Sequence, residues 1–349
     1  MTERDRWGLR GSVLSCRLQR IWYSRGCSAD LCESEERGDT TLVEFHPNGS
    51  LVRRRHSNPD GSEWTSMYVY DGSGRLVTVR TESVAGQVDL QRYEYDSEGR
   101  LMRTVARASD GRDRIAESYE YDATGRKQKT VYVDVTAQNS DTMHFWGVEG
   151  TDCAYSAPGA AALTTLHNTR DQPTELLFHD KDGRTLSRVE FVYDEMGHLV
   201  EEAQTMVADA LPAEMLEGLT STQLEALRAL FGAGPSRRQH CYDARGLRIE
   251  THTRMFGALG RDSKRMTYNP HGDQTEEISE YEQRDFSIDD RGRLSGGDTN
   301  ESVSRSEARF RYEYDVRGNW TKKVVEARSG AAAEFSLSSA EQRTIDYYD

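Results

Sequence analysis

The chain has 349 residues, of which 36% are apolar and 30% charged, with a mean hydropathy of −0.80 and a formal charge of −14. An acidic excess of this size repels phosphodiester backbones, which argues against a nucleic-acid binder that works by simple electrostatics. No stretch approaches the ~18 consecutive apolar residues of a transmembrane helix, and 17 Tyr and 5 Trp in regular arrangement point to thin ordered layers with a shallow core.

Residues 1–40 carry Arg throughout and lack the apolar stretch of ~7–15 residues that marks a signal peptide. They are expected to be poorly ordered or to cover a sheet edge. Five cysteines, Cys16, Cys27, Cys32, Cys153 and Cys241, make an odd count without a His pair at zinc-finger spacing. They read as structural or incidental thiols, with a disulfide among the first three as the alternative. They do not fix the compartment.

From residue 41 a repeat takes over. Anchor residues before a four-residue turn ending in Gly, most often Asp-x-x-Gly, recur at Phe45, Tyr70, Tyr95, Tyr121, Tyr193, Tyr242, Tyr268, Ile288 and Tyr314. Steps of 25 (Phe45 to Tyr70, Tyr70 to Tyr95) and 26 (Tyr95 to Tyr121, Tyr242 to Tyr268, Ile288 to Tyr314) establish the period. A weaker copy, LHNTRDQP, places His167 in the series, and HFWGVEG leaves room for an eroded one. A second turn lies inside each unit, at Gly61, Gly111 and Gly183, so strands of about 6–9 residues alternate with turns. The pattern predicts an antiparallel meander of hairpins.

The turn chemistry predicts a register. In Asp96-Ser97-Glu98-Gly99 the carboxylate accepts backbone N–H bonds, and Gly99 supplies the left-handed residue of a three-residue loop. Asp96 then faces Arg100, and Tyr95 faces Leu101. Asp71 likewise faces Arg75, Tyr70 faces Leu76, Asp289 faces Arg293 and Ile288 faces Leu294. Where Tyr121 meets Lys127 and Tyr242 meets Arg248, the aliphatic stems are expected to lie over the ring. One segment breaks the period. Ala208 to Gly234 has helix-forming composition, with Thr222 and Glu225 spaced as a capping box and Leu224, Leu227 and Leu230 or Phe231 at helical intervals. Short helices are predicted near 212–217 and 223–231, packing on the sheet or docking a partner.

Tyr-Asp-x-x-Gly-Arg-Leu at this interval resembles the YD (Rhs) repeat of bacterial Rhs polymorphic toxins, insecticidal toxin-complex shells and teneurins. The resemblance spans about residues 41–349. Its most specific copies lie at 68–79, 93–104, 119–130, 191–202 and 312–323. It implies a non-enzymatic sheet spiralling into a barrel or cocoon in a secreted or cell-surface setting, with carbohydrate or protein surfaces as ligands. The fold class expected is all-β, an antiparallel meander of YD hairpins curling into an open or partial barrel with a small helical insertion at about 208–234. A detached fragment of a toxin-encapsulating shell is the second reading, and an uncharacterised hydrolase the third.

No cofactor or metal pattern stands out: Asp180 and Asp182 in HDKDGR begin like a calcium loop but lack its remaining ligands. Several of the nine histidines occupy positions held elsewhere by Tyr, Asp or Arg, and no H-E-x-x-H or G-x-S-x-G occurs. The candidate binding residues are aromatic: Trp64, Tyr68, Tyr93, Tyr119, Trp146, Tyr312 and Trp320. If one face of the sheet is solvated, these form a ladder for stacking on sugars or docking a protein.

Overall fold

A computed structural model describes residues 2–23, 37–107, 111–132, 145–147, 154–157, 159–207, 220–225, 234–255, 260–288, 294–330 and 334–348. A capped helical turn, α1 (Glu3–Arg6), precedes β1 (Val13–Trp22). Four hairpins follow: β2–β3 (Arg37–Phe45, Leu51–Ser57), β4–β5 (Glu63–Tyr70, Leu76–Ser83), β6–β7 (Val88–Tyr95, Leu101–Arg107) and β8–β9 (Asp113–Tyr121, Lys127–Tyr132). A separate two-stranded ribbon, β10–β11 (Phe145–Gly147, Ala154–Ser156), comes next. Three more hairpins are β12–β13 (Ala162–His167, Pro173–His179), β14–β15 (Thr185–Tyr193, Leu199–Met206) and β16–β17 (Ser236–Tyr242, Arg248–Arg254). The last two are β18–β19 (Gly260–Tyr268, Gln274–Ile288) and β20–β21 (Leu294–Tyr314, Trp320–Ser329), and β22 (Ser336–Tyr347) ends the series.

Twenty of these strands form one antiparallel sheet, and the sheet closes. β1 pairs with β2 on one side, Leu18 opposite Thr41, and with β22 on the other, Leu18 opposite Arg343. The expectation of an open or partial barrel is therefore corrected to a closed one. The reason is β1: no Asp-x-x-Gly turn introduces it, so the repeat alone does not count it among the strands. The β22–β1 pair has no turn to read, since its two strands come from opposite ends of the chain. Val13, Cys16 and Leu18 are buried along this seam, and a closed ladder leaves none of the open edges that favour aggregation.

Twenty strands at about 4.8 Å spacing give a circumference on the order of 95 Å, more than the 16–18-stranded barrels that already enclose a channel. The accessible surface, 21175 Å², exceeds the roughly 14,000 Å² of a compact protein of this mass. The core is correspondingly thin and divided. One cluster joins Leu176, Phe178, Val189 and Phe191 with Tyr155, and another joins Val13, Val43 and Phe45 with Leu9 and Trp7 of the N-terminal segment. Among the described residues, no helix is long and apolar enough to cross a membrane.

All connections from β2–β3 to β20–β21 within the hairpins lie at one end, here the turn rim. It carries nine five-residue turns plus the meeting of β22 with β1. The other end, the loop rim, carries connections of very unequal length. The Ile288 copy belongs to this second end: β19 runs from the turn rim to Ile288, and β20 returns from Leu294. Its place in the same series as Tyr268 and Tyr314 is thus corrected. Ile288 does pair with Leu294 as expected, while Asp289 and Arg293 lie outside the described residues. Of the helical insertion, 221–225 is helical. Its cap is Thr220, whose Oγ1 accepts from Gln223 N–H at 3.3 Å while Gln223 Oε1 accepts from Thr220 N–H at 2.9 Å. The box therefore sits two residues earlier than Thr222–Glu225. The predicted helix near 212–217 and residues 226–231 lie outside the described residues.

Candidate functional site

The turn rim shows what the repeated residues do. Asp96 N–H donates to Arg100 O at 2.9 Å and Gly99 N–H donates to Asp96 O at 3.1 Å, closing the predicted loop. Gly99 has φ of 81°, where a side chain is strained. Asp96 Oδ1 accepts from the N–H groups of Glu98 and Arg100, and Oδ2 accepts from Arg100 Nε at 2.8 Å. Those bonds, Arg100's backbone N–H foremost, hold the Asp96 carboxyl below its ordinary range. Asp71 repeats the arrangement with Arg75. At the loop rim, Asp180 makes the same arrangement with Arg184 in the turn between β13 and β14. In the weaker copy Asn168 takes the capping role and Asp171 adopts φ of 60° in place of glycine.

The anchors reach across to the preceding hairpin. Tyr70, Tyr95, Tyr121, Tyr193, Tyr242 and Tyr268 donate their hydroxyls to the carbonyls of Leu51, Leu76, Leu101, Pro173, Leu199 and Arg248, at 2.7–2.9 Å. Each acceptor is the residue paired with the preceding anchor, as Leu76 is with Tyr70. The residue after the turn glycine then covers the next ring. Arg75 lies 4.8 Å over Tyr95, Arg100 lies 4.9 Å over Tyr121, and the His198 ring stacks on Tyr242 at 4.8 Å. Lys127 was expected over Tyr121 but sits 5.2 Å over Tyr119, because the Tyr121 ring leans to the previous hairpin and is already covered. The stitch passes the seam too: Tyr348 donates its hydroxyl to Phe45 O at 2.5 Å. Burial pushes the Tyr193 and Tyr314 phenols up to about 12.

The candidate aromatic residues share the anchor-bearing face but form two groups. Trp64, Tyr68, Tyr93 and Tyr119 lie on β4, β6 and β8. Tyr312 and Trp320 lie on β20 and β21, with β22, β1, β2 and β3 between the groups. All six are half-buried. Trp64 packs on His56 at 4.2 Å, and Trp320 lies under the Arg343 guanidinium at 3.5 Å. Tyr93 donates its hydroxyl to Gln91 Oε1 at 3.0 Å, and Tyr119 donates to the Glu117 carboxylate. The Trp146 side chain lies outside the described residues. On the opposite face, charges pair across strands, as Arg103 with Glu94 at 2.5 Å and Lys322 with Glu313 at 2.9 Å.

That opposite face also bears a groove of about 460 Å³ across β16 to β20, lined by Arg237, Gln239, His252, Arg254, Arg261 and Glu282 among others. None of these residues was a candidate from sequence. Among the described residues, no group of His, Cys, Asp and Glu has the arrangement of a metal site. Cys16 is buried with its thiol pushed up to about 11 by that burial, and Cys241 is exposed; both are free.

No family model and no curated protein matches the chain. Among solved structures it is similar to TcdB2-TccC3, with 10% identity and a TM-score of 0.37 over 95% of this chain and 20% of the other. The TcdB2-TccC3-Cdc42 structure gives 10% identity and a TM-score of 0.36, over 93% and 20%. A porin-like protein from Bacteroides uniformis gives 11% and 0.34, over 96% of both chains. The chain thus spans about one fifth of the length of the first two.

Proposed function

We propose that this chain is a non-catalytic YD-type barrel that serves as a scaffold and binds carbohydrate through the tyrosine-bearing face. The observation that carries the reading is the commitment of the repeated polar groups. In the turns described, each capping carboxylate or amide is engaged by its own loop, and six anchor hydroxyls are spent on carbonyls of the neighbouring hairpin. Chemistry that needs a free carboxylate pair or an activated hydroxyl has no such group to draw on in these positions. Tyr93 is the better stacking candidate, because Trp64, Trp320 and Tyr119 already meet His56, Arg343 and Lys127.

Closure of the sheet favours a self-contained barrel over the shell-fragment reading, since a fragment needs an edge on which the remaining strands can add. The test is a glycan array with the wild-type chain and the double variant Tyr93→Ala, Tyr119→Ala. Saturable binding that weakens about tenfold in the variant, roughly the stacking energy of one or two rings, is the expected result. Equal binding by both, or turnover on a panel of ester, glycoside and phosphate substrates by the purified chain, overturns the proposal.

A further inference from the structure

The arginines of the groove break the pairing rule that governs the rest of their face. At several positions elsewhere on it a cation stands opposite a carboxylate: Arg53 opposite Glu44, Arg103 opposite Glu94, Lys129 opposite Glu120 and Lys322 opposite Glu313. In the groove Arg237 stands directly opposite Arg254, and Arg254 directly opposite Arg261. Like charges opposed in this way destabilise a sheet. Arg237 is partly neutralised by Glu201 at 2.8 Å. Among the described residues, Arg254 and Arg261 have no carboxylate within ion-pair distance. Three guanidinium groups thus lie in a row spanning about 10 Å across three strands, in a protein whose net charge is −14. Arg261 has Glu282 opposite it on its other side, so Arg254 is the residue with like charge on both sides, and a local rule broken there without compensation marks a functional position.

We infer that this groove binds a single phosphate or sulfate ester carried on a hydroxyl-rich body, such as a sugar phosphate or sugar sulfate. Arginine's planar fork suits a tetrahedral oxyanion, and the middle residue, Arg254, is placed to hold it with help from either side. A second row, Gln239 opposite His252 opposite Ser263, lies one pleat repeat away and offers an amide, an imidazole and a hydroxyl to ligand hydroxyls. Glu282 stands opposite Arg261, and Glu280 opposite Ser263. Glu280 is paired with Arg305 at 2.8 Å; both carboxylates accept hydroxyl donors, and their charge disfavours a second anionic group at that end of the groove. A polysulfated chain is therefore disfavoured and a mono-ester favoured. The volume of about 460 Å³ is in the range of small-molecule sites.

The test is titration calorimetry of the whole chain at low salt with glucose 6-phosphate, glucose 6-sulfate, inorganic phosphate and glucose. At least one ester binds tenfold more tightly than inorganic phosphate or glucose, and its preference over the other ester identifies the oxyanion. Arg254→Gln weakens that binding at least tenfold, whereas the remote Arg103→Gln leaves it unchanged. Because Arg254 is held between like charges, the ligand-free R254Q protein melts at or above the wild-type temperature. Unchanged ester binding in R254Q, absence of saturable heat with both esters, or a lower melting temperature of ligand-free R254Q overturns the inference. Affinity for inorganic phosphate equal to that for the esters overturns the hydroxyl-rich body.

Discussion

The two ends of the barrel are built from the same strands but obey different rules. At the turn rim, nine loops of one length share one hydrogen-bond pattern, six capped by Asp and two by Asn, with glycine at the fourth position in eight, and tyrosine hydroxyls and stacked side chains tie them to neighbouring hairpins. At the loop rim, tight turns such as 58–62 alternate with long excursions between β9 and β12 and between β15 and β16. A repeat disciplines the end where adjacent units touch one another through their turns. At the loop rim no period holds, and the connections range from four residues between β5 and β6 to 29 between β15 and β16.

The greatest effect on this contrast comes from removing the seam. Deleting residues 2–23 takes away β1 and exposes edges on β2 and β22; loss of a cooperative thermal transition, with a shift to larger species on size exclusion, is the expected outcome. Next, a three-glycine insertion between Ser97 and Glu98 should lower the melting temperature by several degrees, because it breaks the Asp96 cap and the Tyr121 stitch together. The same insertion between Ala85 and Gly86, at the loop rim, should cost about a degree or two, near the cost of loop entropy alone. Equal losses at both sites would mean that the turn rim is no more tightly tied than the loop rim.

A smaller effect is expected for Tyr95→Phe, which deletes only the hydroxyl that reaches Leu76 O. About 1 kcal/mol of stability is lost, measured by urea denaturation. The smallest and most distributed effect is acid sensitivity. The carboxyls of Asp71 and Asp96 are held below their ordinary 3.8 chiefly by the backbone N–H groups of Arg75 and Arg100. Their stabilisation is complete above that ordinary value and disappears as pH falls through the lower folded-state values. Melting temperature should therefore stay level from pH 7 to about 5 and decline below about pH 4. In an Asp71→Asn, Asp96→Asn variant that decline is shallower.

Much of this architecture was legible because the turn is a local device. Asp96, Gly99 and Arg100 carry the register within five residues, and Tyr95 opposite Leu101 follows without reference to the rest of the chain. Closure was not legible, since β1 carries no turn signature and finds β22 only in three dimensions. The Ile288 copy misled for a related reason: a turn motif says that the chain reverses, but not at which end of the barrel. The tyrosine stitch was hidden although its spacing of 19–20 residues, Tyr95 to Leu76 and Tyr121 to Leu101, was on the page. The arginine row was half accessible. Extending the Tyr242–Arg248 register back along the strands puts Arg237 beside Arg254, but bringing Arg261 into line depends on the connection through 255–259, whose course residue types do not dictate.

The joint between β1 and β22 also constrains how the molecule is made. Cys16 and its neighbours pair with residues more than three hundred positions later, around Ile345, so on a ribosome the first strand waits for the last. Throughout that interval the growing sheet has two raw borders, each able to recruit a stray strand. Completion is then a single zipping event across the final gap, and a chain stalled before Ser336 is an unfinished hoop whose borders stay sticky.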